Sequence, residues 1–199
     1  MDDTNAEPDI VIFHDSIFKA VKSEGLMRRE KLKVSMKWAP KLENALEGVL
    51  AMSEKPKVVL LHVGTNDIAH ETEETMLDII NKIQEILETR DIKLVYSFIV
   101  PSDTKAKTAK SEVLNSRVVQ SFAASDDVFI GRNDNFYLHG VKSEKLFVED
   151  GIHLSEDGTK ALVRQTKEVL CRSLGIEFRN NFNFGFNNRS RGGGRYRSR

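Results

Sequence analysis

The chain has very little cysteine and lacks any long apolar run. Its single cysteine, Cys171, excludes an internal disulfide, and the amphipathic helical pattern around it predicts a buried thiol. No stretch reaches the roughly 18 apolar residues that a membrane-spanning helix needs. Residues 1–9 (MDDTNAEPD) are acidic and polar, so they do not have the pattern of a secretory signal. These features favour a cytosolic or nuclear compartment.

Acidic residues are missing from the last part of the chain. Residues 178–199 contain six of the 30 basic residues, all of them arginine, and none of the 30 acidic residues. Residues 1–177 therefore carry 24 basic against 30 acidic residues, a net charge of −6. We expect any nucleic-acid affinity to concentrate in the basic tail rather than in the acidic body.

The tail also lacks aliphatic side chains. Because residues 178–199 consist mainly of Asn, Gly, Arg and aromatics, they cannot form a packed core and are expected to be disordered alone. The length of 199 residues therefore predicts one domain, 1–177, followed by this tail. Guanidinium groups contact phosphates and aromatic rings stack on bases, so the tail predicts salt-dependent RNA binding; the alternative is a solubilising or self-associating segment. The residues assigned to RNA contact are Arg189, Arg191, Arg195, Tyr196, Arg197 and Arg199.

Apolar, β-branched runs alternate with helical patterns along most of the chain. The predicted strands are 9–13, 32–36, 58–63, 93–99 and 128–130. The predicted helices are 16–23, 42–52, 71–89, 107–123 and 155–174, and 132–149 is predicted as a loop. This alternation predicts an α/β fold, a three-layer α/β/α sandwich around a five-stranded parallel sheet. A doubly wound strand order of 2-1-3-4-5 makes strands one and three neighbours.

Polar motifs follow two of these neighbouring strands. Ser16 follows the first strand, and Gly64–Asp67 follows the third, so both lie at the edge of the sheet where ligands bind. The Ser16 hydroxyl would lie at the start of a helix with its own N–H pointing into the cleft, and the Asn66 amide can face a developing oxyanion. The alternatives are an N-cap serine and an ordinary turn rich in Gly, Asn and Asp.

A carboxylate and a histidine lie three residues apart before the last predicted helix. This spacing lets Asp150 reach one imidazole nitrogen of His153 and fix its tautomer, while the other nitrogen faces the serine. The alternative is an acidic loop with a helix-flanking histidine. Together with Ser16 and Asn66, the pair supplies a nucleophile, an oxyanion donor and an oriented base for the hydrolysis of an ester.

These residues together resemble the sequence blocks of the SGNH hydrolases, also called the GDSL esterases and lipases, over roughly residues 8–175. The matching segments are His14-Asp15-Ser16 for Gly-Asp-Ser, Gly64-Thr65-Asn66-Asp67 for Gly-x-Asn-Asp, and Asp150-Gly151-Ile152-His153 for Asp-x-x-His. Two departures are present. His14 replaces a glycine, and the second-block glycine has no clear match; Ala39 is its best counterpart, with Lys37 and Trp38 as rival placements.

The resemblance implies a mechanism and a set of roles. Ser16 would be the nucleophile, His153 the general base and Asp150 its orienting partner. The oxyanion donors would be the N–H groups of Ser16 and Ala39 and the side-chain amide of Asn66. Asp15, Gly64 and Asp67 would support these groups. The reaction would act on a small ester or lipid and would require no metal or cofactor.

The chain is also similar to the esterase-like domains in the first open reading frame of some animal retrotransposons, and in kind to the OSK domain of Oskar. The OSK domain keeps the SGNH fold, lacks the catalytic residues and binds RNA. Two functions follow from these similarities: a serine esterase with an RNA-binding tail in a ribonucleoprotein, or a weak or inactive hydrolase that binds RNA. The presence of Ser16, Asp150 and His153 favours the first.

Overall fold

A five-stranded parallel sheet forms the centre of the protein, whose residues 7–179 are described by this computed structural model. The strands are β1 (Ile10–His14), β2 (Val34–Trp38), β3 (Val58–His62), β4 (Lys93–Ser97) and β5 (Val128–Gly131). Their order is β2-β1-β3-β4-β5, which confirms the predicted order. All four pairings are parallel.

The helices cover both faces of this sheet. They are α1 (Ser23–Leu26), α2 (Leu42–Leu50), α3 (Glu73–Thr89), α4 (Lys105–Ser121) and α5 (Glu156–Ser173). One core lies between the sheet and α2, α3 and α4, and the other between the sheet and α1 and α5. None of the helices within residues 7–179 combines the length and the apolarity that crossing a membrane requires.

The two central strands explain why the sequence reads as continuous apolar runs. Every residue of β1 and β3 is buried, since alternate side chains enter opposite cores. Val11 and Phe13 point into the core under α2 and α3, whereas Ile10 and Ile12 point into the core under α5. The predicted buried thiol is confirmed as well, because Cys171 of α5 lies in this second core.

The predicted helix 16–23 is wrong. The chain instead forms a three-residue 3₁₀ turn, Ser16–Phe18, followed by the single turn of α1. Ile17 and Phe18 are consecutive and both buried, which a helix with one apolar face does not provide. Tertiary burial of this pair on the sheet therefore overrides helix formation after Ser16.

The predicted loop 132–149 contains regular structure. It holds two 3₁₀ turns, Asp134–Phe136 and Glu144–Leu146, and two short antiparallel strands, β6 (Tyr137–Leu138) and β7 (Val141–Lys142). His139 and Gly140 join these strands with φ angles of 51° and 78°, as a two-residue hairpin turn requires. The strands are too short for an alternating pattern to show in the sequence.

Helix α5 approaches the 144–146 turn closely at its first residues. The Ser155 side chain caps this helix by accepting a hydrogen bond from the Gly158 N–H at 3.2 Å. A Cβ atom at Gly158 would lie 2.0 Å from the carbonyl oxygen of Leu146, so only glycine fits. This contact fixes the start of α5, and with it the loop that carries His153.

Candidate active site

Ser16 begins the 3₁₀ turn that directly follows β1. The sheet ladder continues to the preceding residue, because the Asp15 N–H donates to the His62 carbonyl at 3.1 Å. The Asp15 carboxylate then caps the turn by accepting the Ile17 N–H at 3.0 Å. The Ser16 N–H donates to no acceptor within residues 7–179, which leaves it available to an oxyanion.

Two buried carboxylates connect the loops around Ser16. The second oxygen of Asp15 accepts the backbone N–H of Thr65 at 3.2 Å, which joins the ends of β1 and β3. Asp67 accepts the N–H of Leu42, the first residue of α2, at 3.2 Å. Gly64 has a φ of 125°, and a Cβ atom there would lie 2.7 Å from the Ile99 side chain. The Gly64–Asp67 turn is therefore held by conformation, packing and hydrogen bonds together.

Burial changes the acidity of both carboxyl groups. Loss of hydration raises the pKa of Asp15 to about 6, and the hydrogen bonds from Ile17 and Thr65 lower it only in part. Loss of hydration also raises the pKa of Asp67, against the hydrogen bond from Leu42. At neutral pH the ionised Asp15 carboxylate is held in the protein interior at a cost in folding free energy.

The predicted Asp150–His153 pair is formed. The Nδ1 of His153 lies 2.7 Å from one oxygen of Asp150, and the other oxygen accepts the N–H groups of Ile152 and His153 at 2.8 and 2.9 Å. The hydrogen bond from the His153 ring, followed by those two backbone bonds, lowers the pKa of Asp150 to about 2. An ionised carboxylate only accepts, so Nδ1 carries the proton and Nε2 is left as the basic nitrogen.

Ser16 and His153 line the same pocket, of about 250 Å³. Its other lining residues include Ile17, Ala20 and Leu154, which make the walls largely apolar. No hydrogen bond joins Ser16 to His153 in the part of the chain that the structure describes. The pocket therefore brings the serine and the histidine together without closing the contact, which in hydrolases often tightens only when substrate binds.

Fewer of the predicted oxyanion donors have a free N–H than the sequence indicated. The Asn66 side chain is exposed, and its amide nitrogen donates one hydrogen to the Pro40 carbonyl at 2.8 Å, which leaves the second hydrogen without an acceptor among the described residues. The assignment of Ala39 is contradicted, because its only N–H donates to the His14 carbonyl at 2.9 Å and the residue is fully buried. The backbone hydrogen bonds between β1 and β2 continue one residue beyond the paired His14 and Trp38. The Ala39 N–H is therefore used in the sheet.

Solved structures of bacterial proteins described as lipases and esterases superpose on this chain. A GDSL-like lipase from Bacteroides thetaiotaomicron superposes with a TM-score of 0.69 at 15% identity, over 82% of this chain and 88% of the other. A member of the lipolytic G-D-S-L family from Veillonella parvula gives 0.68 at 16% identity, over 82% and 98%. A mutant acetyl-xylooligosaccharide esterase from Geobacillus Stearmophilus gives 0.67 at 13% identity, over 86% and 95%.

This chain has the GDSL, or SGNH, hydrolase fold. No protein-family profile and no curated protein matches the sequence. Within residues 7–179 no group of three or more His, Cys, Asp or Glu side chains is placed to hold a metal ion.

His14, which stands where the GDSL block has a glycine, does not line the Ser16 pocket. It is the last residue of β1, and its Nδ1 hydrogen-bonds with the Asp15 carbonyl at 3.0 Å. Its ring packs against Phe18 and edge-on against Trp38, with centroids 6.0 and 5.7 Å apart. Because His14 does not line the described Ser16 pocket, its bulk leaves space for a substrate there.

His62 lies next to His14 across β1 and β3 and is buried and hydrogen-bonded. Its Nδ1 lies 2.9 Å from the Ser97 hydroxyl. Burial, with a smaller effect from nearby His14, lowers the pKa of His62 to about 3. His62 is therefore neutral at physiological pH and serves packing rather than proton transfer.

Lys142 is a residue of the site that the sequence did not reveal. From β7, its ammonium group donates to the carbonyls of Gly151 at 2.7 Å and Ser102 at 3.1 Å, and it lies 4.2 Å from the centroid of the Phe147 ring. Only 12% of its side chain is exposed. Lys142 thus ties the Asp150–His153 loop to the loop after β4, and nothing in the sequence distinguishes it from a surface lysine.

Replacing Lys142 by Met should loosen the Asp150–His153 loop. The variant loses two charge-assisted hydrogen bonds, each worth about 1.5–3 kcal/mol, so amide hydrogen exchange at Ile152 and His153 should accelerate at least about tenfold. Lys145→Met is the matched control, since Lys145 is exposed and lies three residues on. Equal exchange in the two variants would show that Lys142 does not hold the loop.

Replacing Asp15 by Asn should change how stability depends on pH. In the wild type the Asp15 carboxyl group binds its proton more tightly in the folded state than in the unfolded state. The contribution of Asp15 to the free energy of unfolding therefore falls as pH rises from about 4 to about 6. Asp15→Asn has no titrating group at this position and lacks this fall. The free energy of unfolding of the variant minus that of wild type should therefore increase by up to about 3 kcal/mol between pH 4 and pH 7.

Urea unfolding at several pH values measures this difference. Asp78→Asn, at an exposed position of α3, is the control for replacing an Asp by an Asn away from the site. A pH profile of Asp15→Asn that runs parallel to that of wild type would mean that the Asp15 carboxyl group does not titrate in this range.

Proposed function

We propose that the protein is a serine esterase of the SGNH type that hydrolyses carboxylic esters through an acyl-enzyme. The observation that carries the proposal is the formed Asp150–His153 pair, which opens with Ser16 onto one pocket. The GDSL hydrolase fold supports it, since neighbours of this fold are described as lipases and esterases.

In this proposal each group has a role. The Ser16 hydroxyl attacks the ester carbonyl while Nε2 of His153 takes its proton and then passes that proton to the leaving alcohol. Water, activated by the same nitrogen, cleaves the acyl-enzyme and regenerates Ser16. Asp150 keeps the imidazole in its tautomer and stabilises the imidazolium that forms at each step.

The oxyanion would be stabilised by two donors, the Ser16 N–H and the second amide hydrogen of Asn66. A third donor at Ala39 is lost to the sheet ladder. Since one such donor contributes about 10²–10³ in kcat in other hydrolases, we expect a slow esterase.

The pocket indicates the size of the acyl group. Its volume of about 250 Å³ lies below the roughly 300–1,000 Å³ of sites for drug-sized ligands. Ile17, Ala20 and Leu154 provide an apolar wall for a short acyl chain. We therefore propose acetyl and other short-chain esters as substrates.

Hydrolysis of p-nitrophenyl esters of increasing chain length tests the proposal. Wild type should prefer short chains, and Ser16→Ala should lose at least about a thousandfold in kcat/KM because the nucleophile is gone, with an unchanged circular dichroism spectrum. Ser53→Ala, at an exposed serine after α2, should behave as wild type. Turnover that survives in Ser16→Ala would contradict the mechanism, and no turnover from folded wild type would favour a role in RNA binding.

We also propose that the tail binds RNA and places the protein in a ribonucleoprotein particle, as in the retrotransposon proteins that the chain resembles. The support is the arginine and aromatic content of residues 178–199 beside an acidic body. The predicted contact residues, from Arg189 to Arg199, lie outside the described residues.

Deleting residues 180–199 should remove most of the affinity for single-stranded RNA. The deletion takes away five of the six arginines of the tail, and the wild-type affinity should fall steeply with added salt because phosphate contacts release counterions. Fluorescence anisotropy with labelled RNA at several salt concentrations measures both effects. Ester hydrolysis serves as the control and should be unchanged, whereas RNA affinity that survives the deletion would place the main contact in the folded domain.

A further inference from the structure

A second cavity, of about 410 Å³, opens at the carboxyl end of β5. It shares no lining residue with the Ser16 pocket. Three of its lining residues are arginines: Arg132 follows β5, and Arg164 and Arg172 lie on α5. The carboxyl edge of a parallel sheet is where ligands of such folds bind, so this cavity is placed for recognition.

The three guanidinium groups are not neutralised. None forms an ion pair within 4.0 Å among the described residues, although Asp134 and Glu168 also line the cavity. The guanidinium groups of Arg132 and Arg164 donate no hydrogen bond to any described residue. Arg172 donates through Nη2 to the Ile130 carbonyl at 2.6 Å, which orients its remaining N–H groups. The cavity therefore presents donors and positive charge to an incoming group.

The wall of the cavity also holds an oriented acceptor. The Asn133 amide nitrogen donates to the Phe98 carbonyl, so its oxygen is left to accept the Gln165 Nε2–H at 2.6 Å. This fixes the Gln165 amide, whose Oε1 is buried and has no hydrogen-bond partner within residues 7–179. The wall of the cavity beside the three arginines therefore contains a buried acceptor that no described donor satisfies.

We propose that this cavity binds a phosphate-bearing ligand, with Arg132, Arg164 and Arg172 on the phosphate. Planar guanidinium groups match phosphate oxygens in geometry as well as charge. Three positive charges exceed the two negative charges of Asp134 and Glu168, so a bound phosphate meets net attraction. The site is independent of ester hydrolysis, and the phosphate belongs either to a small molecule or to a nucleic-acid strand.

NMR titration of the full-length chain tests the site, following the amide signals of Gly131 and Gln165. The probes are inorganic phosphate, ribose 5-phosphate and a short oligouridylate. Arg132→Gln and Arg164→Gln should each weaken binding about tenfold or more, since each removes charge-assisted hydrogen bonds without breaking a bond of the fold. Glu168→Gln should tighten binding by about threefold, because it removes a repelling carboxylate.

Arg117→Gln is the control, because Arg117 pairs with Glu74 on α3 and lies outside this cavity. A response to both small phosphates that depends on Arg132 and Arg164 identifies a small-molecule site. A response to oligouridylate alone, with the same dependence, identifies a nucleic-acid strand. The proposal is overturned if no probe shifts these signals, or if Arg164→Gln and Arg117→Gln bind every probe as wild type does.

Discussion

The candidate site depends on one buried carboxylate, that of Asp15. One of its oxygens caps the turn that presents Ser16, and the other holds the Thr65 N–H of the turn that presents Asn66. Burial raises the pKa of this group to about 6, so at neutral pH its charge is kept in the interior by those backbone donors. Ser16 and Asn66 are thereby held in one hydrogen-bonded unit at the ends of β1 and β3.

His153 belongs to a second unit, which is held by its own set of contacts. Asp150 holds His153 by local hydrogen bonds, Lys142 ties that loop to the Ser102 carbonyl, and Gly158 lets α5 pack against the 144–146 turn. No hydrogen bond between Ser16 and His153 links the two units in the described structure. In the proposed mechanism, proton transfer from Ser16 to His153 therefore depends on how the two units are positioned relative to each other.

The features of the fold and the site that could be predicted from the sequence are those that depend on residues close together in the chain. Continuous apolar runs identified β1 and β3, because residues buried on both faces must be apolar, and the three-residue spacing of Asp150 and His153 led to their contact. The turn after Ser16 could not be predicted, since burial of Ile17 and Phe18 is tertiary. Neither could the bonds of Ala39 and Lys142, because they depend on strand register and on loops that are distant in sequence.

The departures from the family pattern affect different steps of the chemistry. His14 replaces a glycine, yet its ring packs with Phe18 and Trp38 and leaves the Ser16 pocket open. In the proposed function, His14 therefore does not block access of the ester to Ser16. The bond from Ala39 to the His14 carbonyl acts on the oxyanion instead, because a backbone amide that is used in the sheet cannot rotate toward a substrate. In the proposed mechanism this bond lowers the rate of acyl transfer and leaves binding of the ester unchanged, and the arginines beyond β5 line a separate cavity.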